Sequence, residues 1–307
     1  MPGPEERSPA MRITSTRIIW AVLTLVWGST WLFIKVGLGD LPPFTFAGIR
    51  FVIALIPLAL FLVSRRVRFP RVASDWALLA GTGVLTFTVG YGLVFWGEQY
   101  ISSGLTAILY TTYPLFGSIF ASWIIPSEPL RMRRVVGALL GLGGVALIFA
   151  DQLRLSGALA VWGTLAVLVS AVSGALSGVL LKHHGSHINP FVVTFVQMAL
   201  GGLPLLLLGL VKEGNPLHLA WTPKALFSIF YLAIVGTTVA FVLWYRLLQT
   251  TQVTRAQFMP VLNTLVAVAL GWLVLGENYG LKGALGSVAI LSGLLLALWR
   301  SPAPSPK

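Results

Sequence analysis

Two basic side chains stand in an apolar segment near the start of the sequence, and catalysis, ligand binding and membrane anchoring are the roles to weigh for them. The segment is WGSTWLFIKVGLGDLPPFTFAGIRF, residues 27–51, with Lys35 before a double proline and Arg50 after it. A lysine at the end of an apolar helix usually extends its ammonium group to headgroups or water. Snorkelling is therefore favoured for Lys35 over a gating or carboxylate-binding role.

Arg50 lies deeper in its apolar run than Lys35 does. Because a charged group in hydrocarbon is costly, the guanidinium must face protein or a water-filled cavity and find partners there. Asp40 and free backbone carbonyls are the expected partners. A structural clamp is favoured over substrate contact, since the repeat described below matches Arg50 with Gln197, which is polar but uncharged.

The carboxylates are poorly placed for acid–base catalysis or a proton relay. Glu98, Glu128, Asp151 and Glu277 fall at predicted helix ends, and no Asp or Glu lies in the middle of an apolar run, where relays usually place them. Transport down a gradient, or coupling through another kind of group, is favoured. Glu98 is the exception that needs a test.

Metal and nucleophile chemistry also lack a suitable motif. HHGSH, residues 183–187, lies in a predicted turn without a carboxylate nearby in the sequence, and there is no cysteine. The sequence contains no nucleophile elbow, phosphate loop or H-E-x-x-H motif. It therefore predicts no enzyme, no metal site and no cofactor.

The composition indicates that these side chains belong to a membrane protein. Of 307 residues 56% are hydrophobic and 10% are charged, with a mean hydropathy of +0.87, whereas a soluble domain carries about 25% charged residues. The net charge of +12 lies between apolar runs rather than on a basic face, which excludes a nucleic-acid partner. Ten apolar runs long enough to span a bilayer are predicted: 18–38, 44–64, 75–98, 102–125, 132–150, 157–181, 190–211, 223–247, 253–275 and 281–299.

Lysine and arginine orient this bundle because positively charged loops resist translocation. With the N-terminus inside, fifteen of the 21 basic residues fall on the cytoplasmic side and five outside, while Arg50 lies within a span. The sequence therefore predicts an all-α, polytopic membrane protein of ten transmembrane helices, with both termini in the cytoplasm.

The two halves of the chain repeat each other. At an offset of 147, Lys35 matches Lys182, Pro43 matches Pro190 and Pro57 matches Pro204; at 149, Trp123 matches Trp272 and Glu128 matches Glu277. The repeats are predicted to be residues 18–150 (helices 1–5) and 157–299 (helices 6–10). Five spans are an odd number, so the second copy must enter the membrane inverted, which is typical of transporters.

The motifs resemble a known family. W-G-S-T-W-x-x-I-K-x-G-L followed by P-P-x-x-F-A-x-x-R-F is similar to the first two helices of EamA-type members of the drug/metabolite transporter (DMT) superfamily. In both halves a Glu is followed nine residues later by Gly and seven later by another Gly, as in that family, although the first half reads Pro-Ser before Glu128. The size and the many Trp and Tyr residues are most similar to YddG-type amino-acid exporters. The resemblance implies a 5+5 inverted repeat with a cavity built mainly by helices one, three, four, six, eight and nine.

Paired helix interruptions in corresponding helices indicate where a transporter binds its substrate. Pro114 and Pro260 fall in the fourth and ninth predicted helices and are interpreted as hinges, because proline removes a backbone donor. Arg50 and Gln197 remain the clamp. The predicted substrate-binding residues are the polar and aromatic side chains of the cavity helices: Trp27, Tyr91, Trp96, Tyr110, Tyr113, Ser173, Trp244 and Asn263.

These expectations define an exporter of amino acids, neutral or aromatic, and related metabolites, working by alternating access in the bacterial inner membrane. Its expected partners are a small-molecule substrate and the lipid bilayer, with a monomer as the simplest state. Export of other metabolites or drugs stays open as an alternative. A polytopic lipid-modifying enzyme ranks below it, because it would need a charged or metal-binding cluster at one interface.

Overall fold

The computed structural model describes residues 9–125, 132–155, 157–250 and 259–298, which are helical and contain no β-strand. Glu128 and the start of the predicted span 253–275 lie outside these ranges. The helices, numbered in chain order, are α1 (Pro9–Gly37), α2 (Pro43–Ser64), α3 (Ala73–Gly83), π1 (Val84–Tyr91), α4 (Gly92–Glu98), α5 (Ser103–Tyr110), α6 (Tyr113–Ile124), α7 (Met132–Leu155), α8 (Gly157–His184), α9 (Pro190–Glu213), α10 (Pro223–Phe230), π2 (Tyr231–Val239), α11 (Ala240–Thr250), α12 (Met259–Leu275) and α13 (Leu281–Leu298).

Seven helical stretches are long and apolar enough to cross a membrane: Arg17–Gly37, Pro43–Ser64, Ala73–Glu98, Ser103–Ile124, Gly157–His184, Pro190–Glu213 and Pro223–Trp244. Shorter apolar stretches lie in α7, α12 and α13. Large apolar side chains such as Val63 and Trp123 are about three-quarters exposed, at 76% and 74%, whereas Arg50 and Glu98 are buried. Apolar groups outside and polar groups inside are expected for helices in lipid. The protein is an all-helical, multi-pass membrane protein.

The helices of the two halves pack against each other in corresponding pairs. α2 packs along α9 and α7 along α13; α1 packs on α12, and α6 packs on α8. The residue matches of the sequence repeat relate α1 to α8 and α12 to α6. The α1–α12 contact is therefore the counterpart of the α8–α6 contact, and this pattern supports two structurally equivalent halves.

Glycines permit the closest of these approaches. A Cβ atom at Gly48 of α2 would lie 2.6 Å from the backbone of Leu206 in α9. In the other pair, Gly144 of α7 and Gly286 of α13 each face the other's carbonyl oxygen so closely that neither position has room for a side chain. Small residues thus bring the backbones of α7 and α13 into direct contact, as they do in other membrane helix pairs.

Two long helices contain a π-helical segment in their middle, which the sequence did not predict. π1 connects α3 to α4, and π2 connects α10 to α11. Hydroxyl groups bind carbonyls of these wider turns: Ser173 of α8 donates to the carbonyl of Leu85 at 2.7 Å, and Thr237 donates to the carbonyl of Leu232 at 2.9 Å. Such segments are rare and occur frequently at functional sites.

Candidate functional site

Three aromatic side chains, here called the aromatic cluster, meet in the interior: Trp31 of α1, Tyr110 at the end of α5 and Tyr113 at the start of α6. The ring centroids of Trp31 and Tyr110 are 5.4 Å apart, and those of Tyr110 and Tyr113 are 5.9 Å apart. Tyr91, the last residue of π1, packs with Trp31 and Tyr110 against the same buried apolar core. Three of the predicted substrate-binding residues are thus brought together.

A helix interruption positions the two tyrosines. α5 ends at Tyr110 and α6 begins at Tyr113, with Pro114 as its second residue. The intervening threonines turn their hydroxyls back to carbonyls of α5, since Thr111 donates to Ile108 and Thr112 donates to Leu109, each at 2.6 Å. Proline has no backbone N–H to donate to the carbonyl four residues earlier, that of Tyr110, and its ring clashes with that carbonyl, which accounts for a break after Tyr110.

Two glycines of α8 make room for Tyr113. A Cβ atom at Gly174 would lie 3.0 Å from the ring of Tyr113 and 3.4 Å from the hydroxyl oxygen of Tyr110. A Cβ atom at Gly178 would lie 2.5 Å from the Tyr113 hydroxyl oxygen. The sixth predicted span therefore forms the wall against which the cluster rests.

Arg50 lies beside Tyr91 and is surrounded by rings. Its guanidinium carbon is 5.2 Å from the ring centroid of Phe51, 5.4 Å from that of Tyr91 and 5.8 Å from that of Phe95. Nη2 donates to the hydroxyl of Thr237 in π2 at 3.2 Å. Nε and Nη1 are buried and have no acceptor in the described part of the chain. Cation–π contacts offset part of the cost of burial, yet two N–H donor nitrogens remain available to a ligand.

The expected partner of Arg50 is engaged elsewhere. Asp40 accepts a hydrogen bond from the hydroxyl of Thr222 at 2.5 Å instead of pairing with the guanidinium. Gln197, the repeat counterpart of Arg50, is also buried, and its Nε2 has no acceptor among the described residues. The predicted clamp therefore consists, on the Arg50 side, of one hydroxyl and three rings.

A second group of predicted site residues lies one helical turn away on α1. Trp27 and Trp244 have ring centroids 5.4 Å apart, and Phe241 is 6.2 Å from Trp27. The backbone of Asn263 in α12 passes beside α1, since a Cβ atom at Gly28 would lie 2.9 Å from its carbonyl oxygen. The side-chain oxygen of Asn263 is buried without a donor in the described ranges. Trp27 and Trp31 are four residues apart, so both groups lie on one face of α1.

The remaining predicted residues have other contacts. The hydroxyl of Ser173 is occupied by the carbonyl of Leu85, and the ring of Trp96 packs on Tyr100 at 5.1 Å rather than on the aromatic cluster. Pro260 is the second residue of the described part of α12, while the residues before Met259 lie outside the description. Side-chain geometry thus joins Tyr91, Tyr110 and Tyr113, but not Ser173 or Trp96.

Lys35 does not snorkel as its position suggested. Its Nζ donates to the carbonyl oxygens of Glu98 at 2.5 Å and Ile101 at 2.7 Å, with a longer contact to Gln99 at 3.3 Å. The ammonium group thus caps the C-terminal end of α4, where free carbonyls and the helix dipole favour a cation. The carboxylate of Glu98 lies next to this cap and is completely buried.

Glu277 performs the opposite capping role at the start of α5. Its carboxylate oxygens accept from the backbone N–H groups of Ser103 at 2.6 Å and Gly104 at 3.1 Å, and from the hydroxyl of Tyr279 at 2.7 Å. Burial and the bond to Glu277 raise the pKa of Tyr279 above its ordinary value, so this hydroxyl stays a donor. Lys35, Glu98 and Glu277 are called the charged cluster below.

The histidine motif has a partner that the sequence did not indicate. His187 is 3.1 Å from an oxygen of Asp75 at the start of α3, although the two residues are 112 positions apart. Within the described ranges, no three His, Cys, Asp or Glu side chains come together as metal ligands would. This pair lies at an exposed loop, away from the aromatic cluster.

A multi-pass helical bundle with interrupted helices around buried aromatic and polar side chains is typical of transporters. The chain belongs to the EamA-like transporter family, whose model matches residues 15–150 and again residues 161–299. The family assignment confirms the resemblance seen in the sequence motifs.

Relatives of similar length are transporters by name. The "Uncharacterized transporter YoaV" of Bacillus subtilis is 29% identical over 89% of this chain and 93% of its own length. The "Uncharacterized inner membrane transporter YedA" of Escherichia coli is 29% identical over 83% and 81%, and the "Probable amino-acid metabolite efflux pump" of the same species is 27% identical over 91% and 93%. These matches and the apolar helices identify a multi-pass inner-membrane transporter.

A solved crystal structure shares the fold. It superposes with a TM-score of 0.62 over 92% of this chain and 97% of the other, at 20% sequence identity. At that identity the likeness shows the fold alone.

Proposed function

We propose that this transporter exports amino acids with neutral or aromatic side chains by alternating access of two inverted repeats. The observation that carries the proposal is the buried guanidinium of Arg50, which lies beside Tyr91 and has two nitrogen donors without an acceptor among the described residues. Arginine binds carboxylates through parallel N–H donors. The aromatic cluster then provides a surface for an apolar or aromatic side chain.

The carboxylate, the ammonium group and the side chain of such a substrate would each find a matching group of the protein. The carboxylate fits the donors of Arg50, while rings stack on Trp31 and the two tyrosines. Tyrosine hydroxyls and the side-chain oxygen of Asn263 are neutral acceptors for an ammonium group. The name of the Escherichia coli relative, a probable amino-acid metabolite efflux pump, agrees with this substrate class.

The alternative substrate classes fit less well. A cationic drug usually requires a carboxylate within the binding cavity, whereas the group beside Tyr91 is a cation. A sugar phosphate requires several basic side chains to bind its charge. Among the described residues, a single basic side chain, that of Arg50, lies over the rings of Phe51, Tyr91 and Phe95.

The test is counterflow in proteoliposomes with labelled L-phenylalanine and a panel of other amino acids. Unlabelled L-phenylalanine should compete, whereas phenethylamine, which lacks the carboxylate, should not. Arg50→Gln should abolish uptake, while Arg68→Gln, at an exposed loop position, should leave it unchanged. Equal competition by phenethylamine would show that Arg50 does not bind the carboxylate. Failure of every amino acid to compete or be taken up would contradict amino-acid export but not the family assignment.

A further inference from the structure

Glu98 has an environment that the proposed export of amino acids does not use. It is the last residue of α4 and has an exposed fraction of 0%. Neither of its carboxylate oxygens has a hydrogen-bond partner in the described part of the chain. A buried carboxylate is normally paired or accepts several N–H groups, so this one requires an explanation.

The neighbouring charged groups do not neutralise Glu98 by direct contact. Lys35 gives its donors to backbone carbonyls, including that of Glu98 itself, and not to the carboxylate. Glu277 faces Glu98 as a like charge, and its own oxygens are occupied by N–H and hydroxyl donors. On α8, which covers the end of α4, Gly163 and Ala166 approach Gly97 without bringing a charge. Arg50 of α2 lies over the ring of Phe95 in α4, 5.8 Å from its centroid, and its recorded hydrogen bond goes to Thr237.

Glu213 shows what a partnered carboxylate looks like in the same protein. Its two oxygens accept from the backbone N–H groups of Phe44 at 2.9 Å and Thr45 at 2.7 Å, at the start of α2. These bonds stabilise the ionised form. Glu98 accepts no such bonds from the part of the chain that the structure describes. A buried carboxylate without such bonds neutralises itself by binding a proton rather than remaining charged.

We propose that Glu98 is a proton-binding site that couples export to the proton gradient by exchange of substrate for protons. In the arrangement described here, where α1, α4 and α5 close over it, Glu98 carries the proton. When this end of the bundle opens, water reaches the carboxylate and the proton leaves. Because the two arrangements then differ in bound protons, a proton gradient shifts the equilibrium between them.

The location suits this role. The charged cluster joins the ends of α1 and α4, the start of α5 and the loop between α12 and α13, so these elements must separate if this end opens. The ammonium cap of Lys35 and the carboxylate cap of Glu277 hold the closed arrangement. The proposal goes beyond the proposed function because it names the coupling ion, which amino-acid export alone leaves unspecified.

The first test uses purified protein without substrate. Infrared spectra recorded near neutral pH, where carboxyl groups exposed to water are ionised, should contain the C=O stretching band of a protonated carboxyl group in the wild type. Glu98→Gln should lose this band, whereas Glu213→Gln, which changes a carboxylate with two N–H donors, should keep it. A band that persists in Glu98→Gln would overturn the proposal, whether or not any amino acid is transported.

The second test separates coupling from transport in proteoliposomes. With an acidic lumen, the wild type should concentrate labelled L-phenylalanine, and Glu98→Gln should reduce this accumulation about tenfold, a typical coupling effect. Exchange at equal pH on both sides should persist in Glu98→Gln, which shows that the variant is folded. Glu98→Asp should restore part of the accumulation. Wild-type accumulation that ignores the pH gradient, or Glu98→Gln that accumulates like the wild type, would contradict proton coupling but not export.

Discussion

At the scale of single residues, the aromatic cluster is the part of the site whose contribution is simplest to measure. Tyr113→Ala removes a ring that packs on Tyr110, and the lost stacking should raise KM about fivefold, since an aromatic pair contributes about 1 kcal/mol. Tyr113→Phe keeps the ring and should change KM little. Initial rates of L-phenylalanine exchange in proteoliposomes measure both. An unchanged KM in Tyr113→Ala would exclude the ring from the binding site.

Two further single changes test the other predicted contacts. Tyr91→Ala and Asn263→Ala should each reduce exchange without lowering the amount of protein in the membrane, because neither residue seals a helix seam. Immunoblots of membranes provide the control for yield. Wild-type rates in both variants and in Tyr113→Ala would show that the substrate binds elsewhere.

The sequence identified some of these residues and missed others for physical reasons. Tyr110 and Tyr113 were found because Pro114 interrupts their helix. Trp31 was missed because tryptophans in apolar helices occur both at membrane interfaces and in cavities, and spacing does not separate the two. The Thr237 contact of Arg50 joins residues 187 positions apart, which no local pattern reports.

Glu98 shows the same limit more clearly. Its place at a predicted helix end gave no sign of burial, yet the side chain of Glu98 is completely buried and α8 packs on the end of α4. A Cβ atom at Gly97 would lie 2.7 Å from the carbonyl oxygen of Gly163. Gly97 and Gly163, which are 66 positions apart in the sequence, thus allow the backbones of α4 and α8 to touch. This contact is visible only in the packed structure.

At the scale of secondary-structure elements, two helices are capped by carboxylates from distant parts of the chain. Glu213→Ala leaves the first N–H groups of α2 without their acceptors, and Glu277→Ala does the same for α5. Each change should cost about 1–2 kcal/mol, as helix N-caps generally do. Thermal unfolding in detergent measures the loss. Wild-type unfolding temperatures in both variants would mean that water replaces these caps at no cost.

The π-helical segment π1 depends on a hydroxyl of a neighbouring helix. Ser173→Ala leaves the carbonyl of Leu85 without this donor, which should destabilise the protein by about 1–3 kcal/mol, the cost of an unsatisfied buried polar group. Because Tyr91 ends π1, the variant should also lower the rate of exchange. Ser287→Ala is the matched control, since that hydroxyl bonds within its own helix, to the carbonyl of Gly283. Equal effects of both variants would show that π1 needs no such support.

The sequence does not indicate the two π-helical segments, π1 and π2. VLTFTVGY and YLAIVGTTV contain no proline, and they read as ordinary apolar helix. The additional residue in each turn is accommodated by hydroxyls that bind the displaced carbonyls, and these bonds depend on which helices lie alongside. The interruption near Pro114 was predictable because proline acts locally on the helix, whereas a π turn is a result of packing.

At the scale of the whole molecule, the two halves can exchange roles during transport only if they lie inverted relative to each other. The second half must then be inserted upside down in the membrane. The offset of 147 relates exposed positions in pairs, Gly39 with Ser186 and Arg68 with Asn215. Inversion places the two members of each pair on opposite sides of the membrane.

The absence of cysteine from the chain makes this arrangement directly measurable. Single variants Gly39→Cys and Asn215→Cys should react with a membrane-impermeant maleimide in intact cells, because the predicted orientation places both outside. Ser186→Cys and Arg68→Cys should react only after the membrane is permeabilised, and the cysteine-free parent gives the background in each case. Labelling of both members of a pair from the same side would exclude inverted insertion and with it the exchange of roles between the halves.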